Sequence, residues 1–112
     1  EQEALHQAAE TLRSQLKAEL IMVTLSELGV YITANGSYKQ IPAEIRDIAD
    51  VSGAGDTVIS VAACCLATGL NPDEVATISN IAGGLVCEKV GVVPIDKAIL
   101  LTESVLCFNK AK

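Results

Sequence analysis

The sequence predicts a layered α/β fold, and three observations support this prediction. Residues 2–19 carry apolar side chains at helical spacing, residues 20–43 hold short β-branched runs separated by turn residues, and residues 56–108 hold three more helical stretches. The order is therefore one helix, a group of strands and then three helices, which fits part of a layered α/β domain. A chain of 112 residues suits one domain or a piece of one.

The first helix and the strands are predicted from the spacing of apolar residues. The helix has four such residues between charged side chains: Leu5, Ala9, Leu12 and Leu16. The continuous apolar run of residues 20–25 is typical of a parallel strand that is buried on both faces. Residues 30–33 and 38–43 are predicted to form two more strands, joined by a tight turn at Asn35-Gly36.

Three helices are predicted after the strands. Residues 56–69 are rich in small side chains and end at a glycine, which is typical of a helix carboxyl terminus. Asn71 and Glu74 have the spacing of a capping box, which begins a helix that runs to about Lys89. The last helix is predicted over residues 96–108.

Composition narrows the possible partners. The net charge of −6 and the pI near 4.6 argue against electrostatic binding to nucleic acid or to anionic membranes. The longest nearly apolar run, residues 58–67, is too short to span a bilayer. The four cysteines form no C-x-x-C pair and there is one histidine, so we expect no zinc site and a reduced, cytoplasmic protein.

The stretch DVSGAGDTV, residues 50–58, is the strongest functional signal. A helix that starts at about Asp56 directs free N–H groups into the turn formed by Gly53, Ala54 and Gly55, and such groups bind anions. The glycines also allow the backbone to approach a phosphate closely. A carboxylate at Asp56 would repel a phosphate, but it can accept a proton from a hydroxyl that attacks phosphorus. This combination predicts phosphoryl transfer to an alcohol.

Two other interpretations of the same residues stay open. The glycine turn could hold an adenine nucleotide without catalysis. Alternatively, Asp56 could be an ordinary helix cap that follows a tight turn, in a segment with a purely structural role. The chain has no G-x-x-x-x-G-K-[ST] motif, so a P-loop is excluded.

DVSGAGDT resembles the D-[TV]-[TS]-G-A-G-D-[TS] signature of the ribokinase-like, or pfkB-type, carbohydrate kinases. The wording is most similar to the heptose 7-phosphate kinase branch, which serves ADP-heptose and lipopolysaccharide synthesis. IMVTLSELGVYI (residues 21–32) resembles the family's nucleotide-side strand and turn, and ISNIAGGLVCEKVGVVP (residues 78–94) resembles the helix beside the adenine. The resemblance implies that residues 1–112 are the carboxyl-terminal part of a three-layer α/β/α kinase domain with an incomplete sheet.

The resemblance also implies roles for individual residues. Asp56 would be the catalytic base, and Gly53, Ala54 and Gly55 would form the anion hole. The residues implied near the nucleotide are Thr24, Ser26 and Gly29 at the phosphates or ribose, and Asn80 at the base. Asp50 would help to hold a monovalent cation. Ser26 departs from the pattern, since many relatives have glycine there.

Cofactors and partners follow from the same resemblance. ATP and Mg²⁺ are implied, with K⁺ in some members, and the second substrate would be a phosphorylated sugar. The family's N-x-x-E magnesium motif lies before its G-A-G-D motif, so we interpret Asn71 to Glu74 as a helix cap. The sugar site and lid would lie upstream of these residues. We therefore expect the 112 residues alone to be inactive and to self-associate through their exposed apolar surface.

Overall fold

The computed structural model describes residues 2–34, 36–44 and 46–110, and its elements follow the predicted order. The strands are β1 (Leu20–Thr24), β2 (Val30–Ala34) and β3 (Ser37–Ile41). The helices are α1 (Gln2–Leu16), α2 (Ala54–Ala67), α3 (Pro72–Cys87) and α4 (Lys97–Lys110), and a short 3-10 turn covers Ser26–Leu28. The predicted α/β class is confirmed.

The three strands form one antiparallel sheet in the order β1-β2-β3. Ala34 pairs with Ser37, so β2 and β3 are joined by a two-residue turn, as predicted. Gly36 has a φ of +81°, which such turns require and which costs glycine little. Asn35, the other predicted turn residue, lies outside the described residues.

Strand β2 is the centre of the fold, because helices cover both of its faces. All five of its residues are buried. Val30 and Ile32 pack against Ala76 of α3, whereas Tyr31 and Thr33 face α1. The described residues therefore form three layers, with α1 on one side of the sheet and α3 on the other.

Polar contacts attach α1 to its face of the sheet. The Tyr31 hydroxyl and His6 Nδ1 share a hydrogen bond of 2.5 Å, and the His6 ring lies 4.0 Å from that of Tyr38. Thr33 Oγ1 donates to Glu10 Oε2 at 2.6 Å. Hydrogen bonds from Arg13 and from Thr33 lower the pKa of Glu10 to about 2. Tyr31 and Thr33, both wholly buried, thus have partners for their hydroxyl groups.

The prediction that residues 20–25 form a parallel strand buried on both faces is wrong. Strand β1 pairs antiparallel with β2, and most of its residues are partly exposed. Within the described part of the chain β1 has no strand on its other side, so it is an edge of the sheet. A run of apolar residues indicates that a strand packs against other elements, but it does not identify those elements or the direction of the neighbouring strands.

Helices α2 and α3 pack closely on the same side of the sheet. Val75 of α3 contacts Ala62 and Cys65 of α2, and Met22 of β1 packs against both helices and the sheet core. Small residues at this contact let the two helices approach. None of the described helices combines the length and the apolar character needed to cross a membrane.

The predicted cap of α3 is present, and Asp96 caps α4, which was not predicted. Asn71 Oδ1 accepts from the Glu74 N–H at 2.8 Å and Glu74 Oε1 accepts from the Asn71 N–H at 3.0 Å, which completes the capping box. Asp96 Oδ1 accepts from the N–H groups of Ala98 and Ile99 at 3.0 and 3.1 Å. Because each of the two side chains accepts the backbone N–H of the other residue, Asn71 and Glu74 form a helix cap, as predicted.

Gly29 is the position at which the fold tolerates a side chain least. Its φ is +95°, and a Cβ there would lie 1.9 Å from the Ile41 carbonyl oxygen. We expect Gly29→Ala to lower the free energy of unfolding by more than about 3 kcal/mol, because the collision of the new Cβ adds to backbone strain.

Gly36→Ala is the control, since Gly36 also has a positive φ but no atom within 4 Å of the added Cβ. We expect it to cost only about 1 kcal/mol. Urea unfolding measures both, and equal costs would contradict the collision.

Candidate active site

Helix α2 begins at Ala54, two residues earlier than predicted, because Gly53 adopts a left-handed conformation. Gly53 has φ +76° and ψ +1°, and its carbonyl accepts the first helical N–H, from Thr57, at 3.1 Å. The Ala54 N–H donates to the Val51 carbonyl at 3.3 Å. The sequence correctly places a turn at these residues, but the amide of Ala54 is engaged within it.

The next two amides remain open. Within the described ranges, no group accepts a hydrogen bond from the N–H of Gly55 or of Asp56. A Cβ added to Gly55 would meet nothing within 4 Å, so the space in front of the helix terminus is accessible. Free amides at the positive end of a 14-residue helix favour a bound anion. This geometry fits a phosphate group.

Asp56 and Thr24 share a groove between α2 and β1. The groove has a volume of about 540 Å³ and is lined on the α2 side by Gly55 and Asp56 and on the β1 side by Met22 and Thr24. Both Asp56 and Thr24 are exposed. The structure therefore brings the predicted base, one anion-hole glycine and one predicted nucleotide residue to the same surface, which we call the α2 groove.

Asp50 joins the glycine turn to the segment that follows α3. Its Oδ1 accepts from the N–H and the hydroxyl of Ser52 at 3.0 and 2.8 Å, and its Oδ2 accepts from the Gly91 N–H at 2.8 Å. The Ser52 hydroxyl, the Gly91 amide and the Ser52 amide, in this order, lower the pKa of the Asp50 carboxyl. Asp50 is thus a charged clamp between two loops.

Two further contacts hold the same junction together. The Cys87 carbonyl, at the end of α3, accepts from the N–H groups of Ala49 and Asp50 at 2.8 and 3.1 Å. A Cβ added to Gly53 would lie 3.1 Å from Cγ1 of Val92, so the turn packs closely on that side chain. The glycine turn is therefore supported from below by α3 and from the side by residues 91–92.

The other predicted nucleotide residues form a second group, around Pro42. Asn80 Nδ2 donates to the Pro42 carbonyl at 2.9 Å. A Cβ on Gly29 would lie 2.8 Å from the Pro42 carbonyl carbon. Ser26 lies in the turn after β1, has a φ of +56° and accepts the Gly29 N–H at 3.1 Å. These contacts connect Gly29, Asn80 and Ser26 with the end of β3, and no described contact joins them to Asp56.

Asp50 retains some capacity to bind a cation. Oδ1 already accepts two hydrogen bonds and Oδ2 accepts one, so a single lone pair of Oδ2 is left. In the described part of the chain, no three His, Cys, Asp or Glu side chains come together as a metal site. A cation at Asp50 would therefore need backbone carbonyl oxygens as its other ligands, which suits K⁺ better than Mg²⁺.

Sequence reasoning missed Gly91 and Val92 as the residues that support the glycine turn. Gly91 carries a local signal, since a glycine that follows a helix is typical of a residue with a positive φ. Its φ is +82°. Nothing local pairs it with Asp50, which is 41 residues away. Val92 carries no signal in the sequence, because its partner Gly53 is distant in the chain.

Comparison with known proteins shows the family of the chain. Residues 1–98 match the pfkB family carbohydrate kinase. The bifunctional protein HldE of Methylobacillus flagellatus is 44% identical over 101 residues, which cover 90% of this chain and 21% of that protein. The bifunctional protein HldE of Syntrophotalea carbinolica is 44% identical over 92 residues, which cover 81% of this chain and 19% of that protein.

Solved structures share the fold. Phosphofructokinase-2 of Escherichia coli, in complex with potassium, has a TM-score of 0.83 at 18% identity, over 91% of this chain and 33% of that one. Ribokinase of Thermotoga maritima has a TM-score of 0.73 at 25% identity, over 93% of this chain and 34% of that one. The described elements are thus a portion of a ribokinase-like fold, as the sequence predicts.

The fold is that of the ribokinase-like sugar kinases. More narrowly, the chain belongs to the pfkB family of carbohydrate kinases. It spans about a fifth of the length of the HldE relatives and a third of the solved structures that it matches.

The Asp50 clamp predicts a pH-dependent stability. Its pKa is depressed in the folded chain, so its contribution is present above the ordinary carboxyl pKa of about 3.9 and is lost as the pH falls through the lower folded value. We expect Asp50→Asn to lower the free energy of unfolding at pH 7, because the amide has one accepting oxygen and cannot accept from both Ser52 and Gly91. The deficit should shrink below about pH 4.

Asp47→Asn, an exposed neighbour, is the control. Urea unfolding at several pH values measures this, and a deficit that stays constant as the pH falls from 7 into the acid range would contradict the clamp.

Proposed function

We propose that this chain supplies the catalytic base and the anion hole of an ATP-dependent sugar kinase, as part of a longer polypeptide. One observation carries the proposal: Gly55 and Asp56, whose amides are open within the described residues, line the same accessible groove as Thr24. Donors for a phosphoryl group and an acceptor for a hydroxyl proton therefore lie on adjacent backbone positions. Membership of the pfkB family supports this assignment.

The reaction needs little covalent chemistry from the protein. The Asp56 carboxylate accepts the proton of the sugar hydroxyl as that oxygen forms its bond to the transferred phosphorus. The bond from phosphorus to the leaving ADP oxygen breaks, and ADP retains that electron pair. The N–H groups of Gly55 and Asp56 donate to the phosphoryl oxygens, where negative charge is concentrated in the transition state. Asp50 and Val92 hold these donors in place.

ATP would supply the phosphoryl group, and Mg²⁺ bound with it would neutralise charge on its phosphates. Of the residues implied at the nucleotide, Thr24 lies in the α2 groove and is accessible to a phosphate. Ser26, Gly29 and Asn80 would form the ribose and adenine side, near the end of β3. A monovalent cation such as K⁺, held by Asp50 Oδ2 and carbonyl groups, would add positive charge next to the anion hole.

We assign a heptose 7-phosphate as the sugar. The DVSGAGDT motif resembles that branch of the family, and the relatives from two bacterial species are bifunctional proteins. The product would serve ADP-heptose and lipopolysaccharide synthesis, and a reaction that draws on ATP suits the cytoplasm. The alternative function is binding of an adenine nucleotide without catalysis, which needs the open amides but not the carboxylate.

Replacement of Asp56 separates the two functions. In a full-length protein that carries this chain, we expect Asp56→Asn to lower kcat about 10²- to 10⁴-fold with heptose 7-phosphate, because no group then accepts the hydroxyl proton. The KM for ATP should change little, since the amide donors remain. A coupled assay of ADP release measures both values.

Asp73→Asn is the matched control, because Asp73 is also an acidic residue in the first turn of a helix. It should leave kcat unchanged. If Asp56→Asn retained full turnover, the kinase assignment would fail. If ATP bound with normal affinity to a wild-type protein that turned over no sugar, the binding function would replace it.

The 112 residues alone should lack sugar kinase activity and should self-associate. Ile59 is 67% exposed and Leu66 is 47% exposed in the α2 groove, next to the free edge of β1. Exposed apolar surface beside an unpaired strand favours association between copies. Assays of ADP release and light scattering at high concentration test the two statements. Clear turnover would contradict the first, and a monodisperse monomer would contradict the second.

A further inference from the structure

A buried arginine lies in the segment that leads to the glycine turn. The Arg46 side chain is only 8% exposed, and its guanidinium contacts acidic residues from three parts of the fold. Nη1 donates to Glu88 Oε2 at 3.3 Å, just after α3, and Nη2 donates to Glu103 Oε1 of α4 at 2.7 Å. Nη2 also pairs with Glu44. One cation thus connects a loop with α3 and α4.

This arrangement keeps the guanidinium charged. Burial alone would lower the pKa of Arg46, but the hydrogen bonds that it donates to Glu103 and Glu44 more than offset this effect, so the pKa is raised above its ordinary value. The planar fork of donors lets arginine serve several carboxylates at once, which lysine cannot do. In the described chain, Arg46 Nε is buried without a hydrogen-bond partner. The side chain is therefore oriented by its acidic partners at the expense of one donor.

Helix α3 leaves space for this side chain at Gly84. A Cβ added to Gly84 would lie 2.7 Å from Nε and 3.0 Å from Cδ of Arg46. Glycine weakens the interior of a helix, so its presence here is explained by the arginine rather than by helix stability. The end of the Arg46 side chain cannot move away freely, since three carboxylates hold it.

Arg46 precedes the clamp by four residues. At the end of this segment, the N–H groups of Ala49 and Asp50 both donate to the Cys87 carbonyl. The segment from Arg46 to Asp50 is therefore attached to the carboxyl end of α3 at both of its ends. Any shift of this segment moves Asp50, and Asp50 holds the glycine turn through Ser52.

We propose that Arg46 and its partner Glu103 are positioning residues for phosphoryl transfer, which hold the 46–50 segment on α3 so that Asp50 sets the direction of the Gly55 and Asp56 amides. This inference rests on the proposed function. It also makes α4 part of the catalytic unit, although the match to the pfkB family ends at residue 98. Neither residue contacts the α2 groove, so their effect passes through the segment and the clamp.

The test is a double-mutant cycle on kcat in a full-length protein that carries this chain. We expect Arg46→Gln and Glu103→Gln each to lower kcat about 10-fold, with KM for ATP and for heptose 7-phosphate changed less than about 2-fold. The double variant should be no slower than Arg46→Gln alone, because both changes remove the same contact. Lys39→Gln is the control, since it removes an exposed ion pair with Asp73 on the sheet side of α3.

A second readout is hydrogen exchange at the amides of Ala49 and Asp50. We expect faster exchange there in Glu103→Gln and unchanged exchange in Lys39→Gln. If Arg46→Gln does not fold, Glu103→Gln and Gly84→Ala provide the same test, since Gly84→Ala displaces the arginine while it favours the helix. A normal kcat in Glu103→Gln, or additive effects in the double variant, would overturn the proposal.

The two proposals fail in different ways. If Asp56→Asn abolishes turnover while Glu103→Gln retains it, only the positioning role is wrong. If the wild-type protein transfers no phosphate, the kinase function is wrong, and the exchange rates alone then decide. Faster exchange at Ala49 and Asp50 would support the role of Arg46 in holding the segment, and unchanged exchange would overturn it.

Discussion

The carboxylate of Asp50 is the contact on which the geometry of the site depends. It accepts hydrogen bonds from the turn that opens α2 and from the turn that follows α3, so one charged group fixes two loops relative to each other. Gly53 lies against Val92 across the same junction, where an added Cβ would lie 3.1 Å from the valine side chain and would require it to shift. Without this contact α2 could still form, but its first amides would have no fixed direction relative to the groove.

Helix α3 provides the support for both the sheet and the site. Ala76 packs on β2, Val75 packs on α2, and the Cys87 carbonyl accepts two N–H groups from the incoming loop. The site thus lies where the carboxyl end of one helix meets the amino end of another. The two helix ends carry opposite partial charges. The carboxyl end of α3 accepts hydrogen bonds from backbone N–H groups, and the amino end of α2 has free N–H groups that can donate to a ligand. The backbone carbonyl group at the end of α3 therefore has a structural role, whereas the backbone amides at the start of α2 are free to bind a ligand.

Features that depend on neighbouring residues could be predicted from the sequence. The capping box of Asn71 and Glu74, the hairpin turn before Ser37 and the glycine turn before α2 all follow from local chemistry. The environment of β1 could not be predicted, because an apolar run does not identify its neighbours. The clamp from Asp50 to Gly91 and the contact from Arg46 to Glu103 join residues that are 41 and 57 positions apart. A motif can identify the residues that meet a substrate, but those that hold them become visible only in the fold.

The burial of Tyr31 has a consequence for optical measurements. The chain has no tryptophan and two tyrosines, whose rings stack 5.8 Å apart on the sheet face that α1 covers, next to His6. The α2 groove lies on the opposite face of the sheet, where Met22 packs with α3. Intrinsic near-ultraviolet absorbance and fluorescence therefore report the docking of the first helix and carry no direct signal from nucleotide or sugar. A spectroscopist who wants to observe ligand events must place a chromophore on the other side of the sheet.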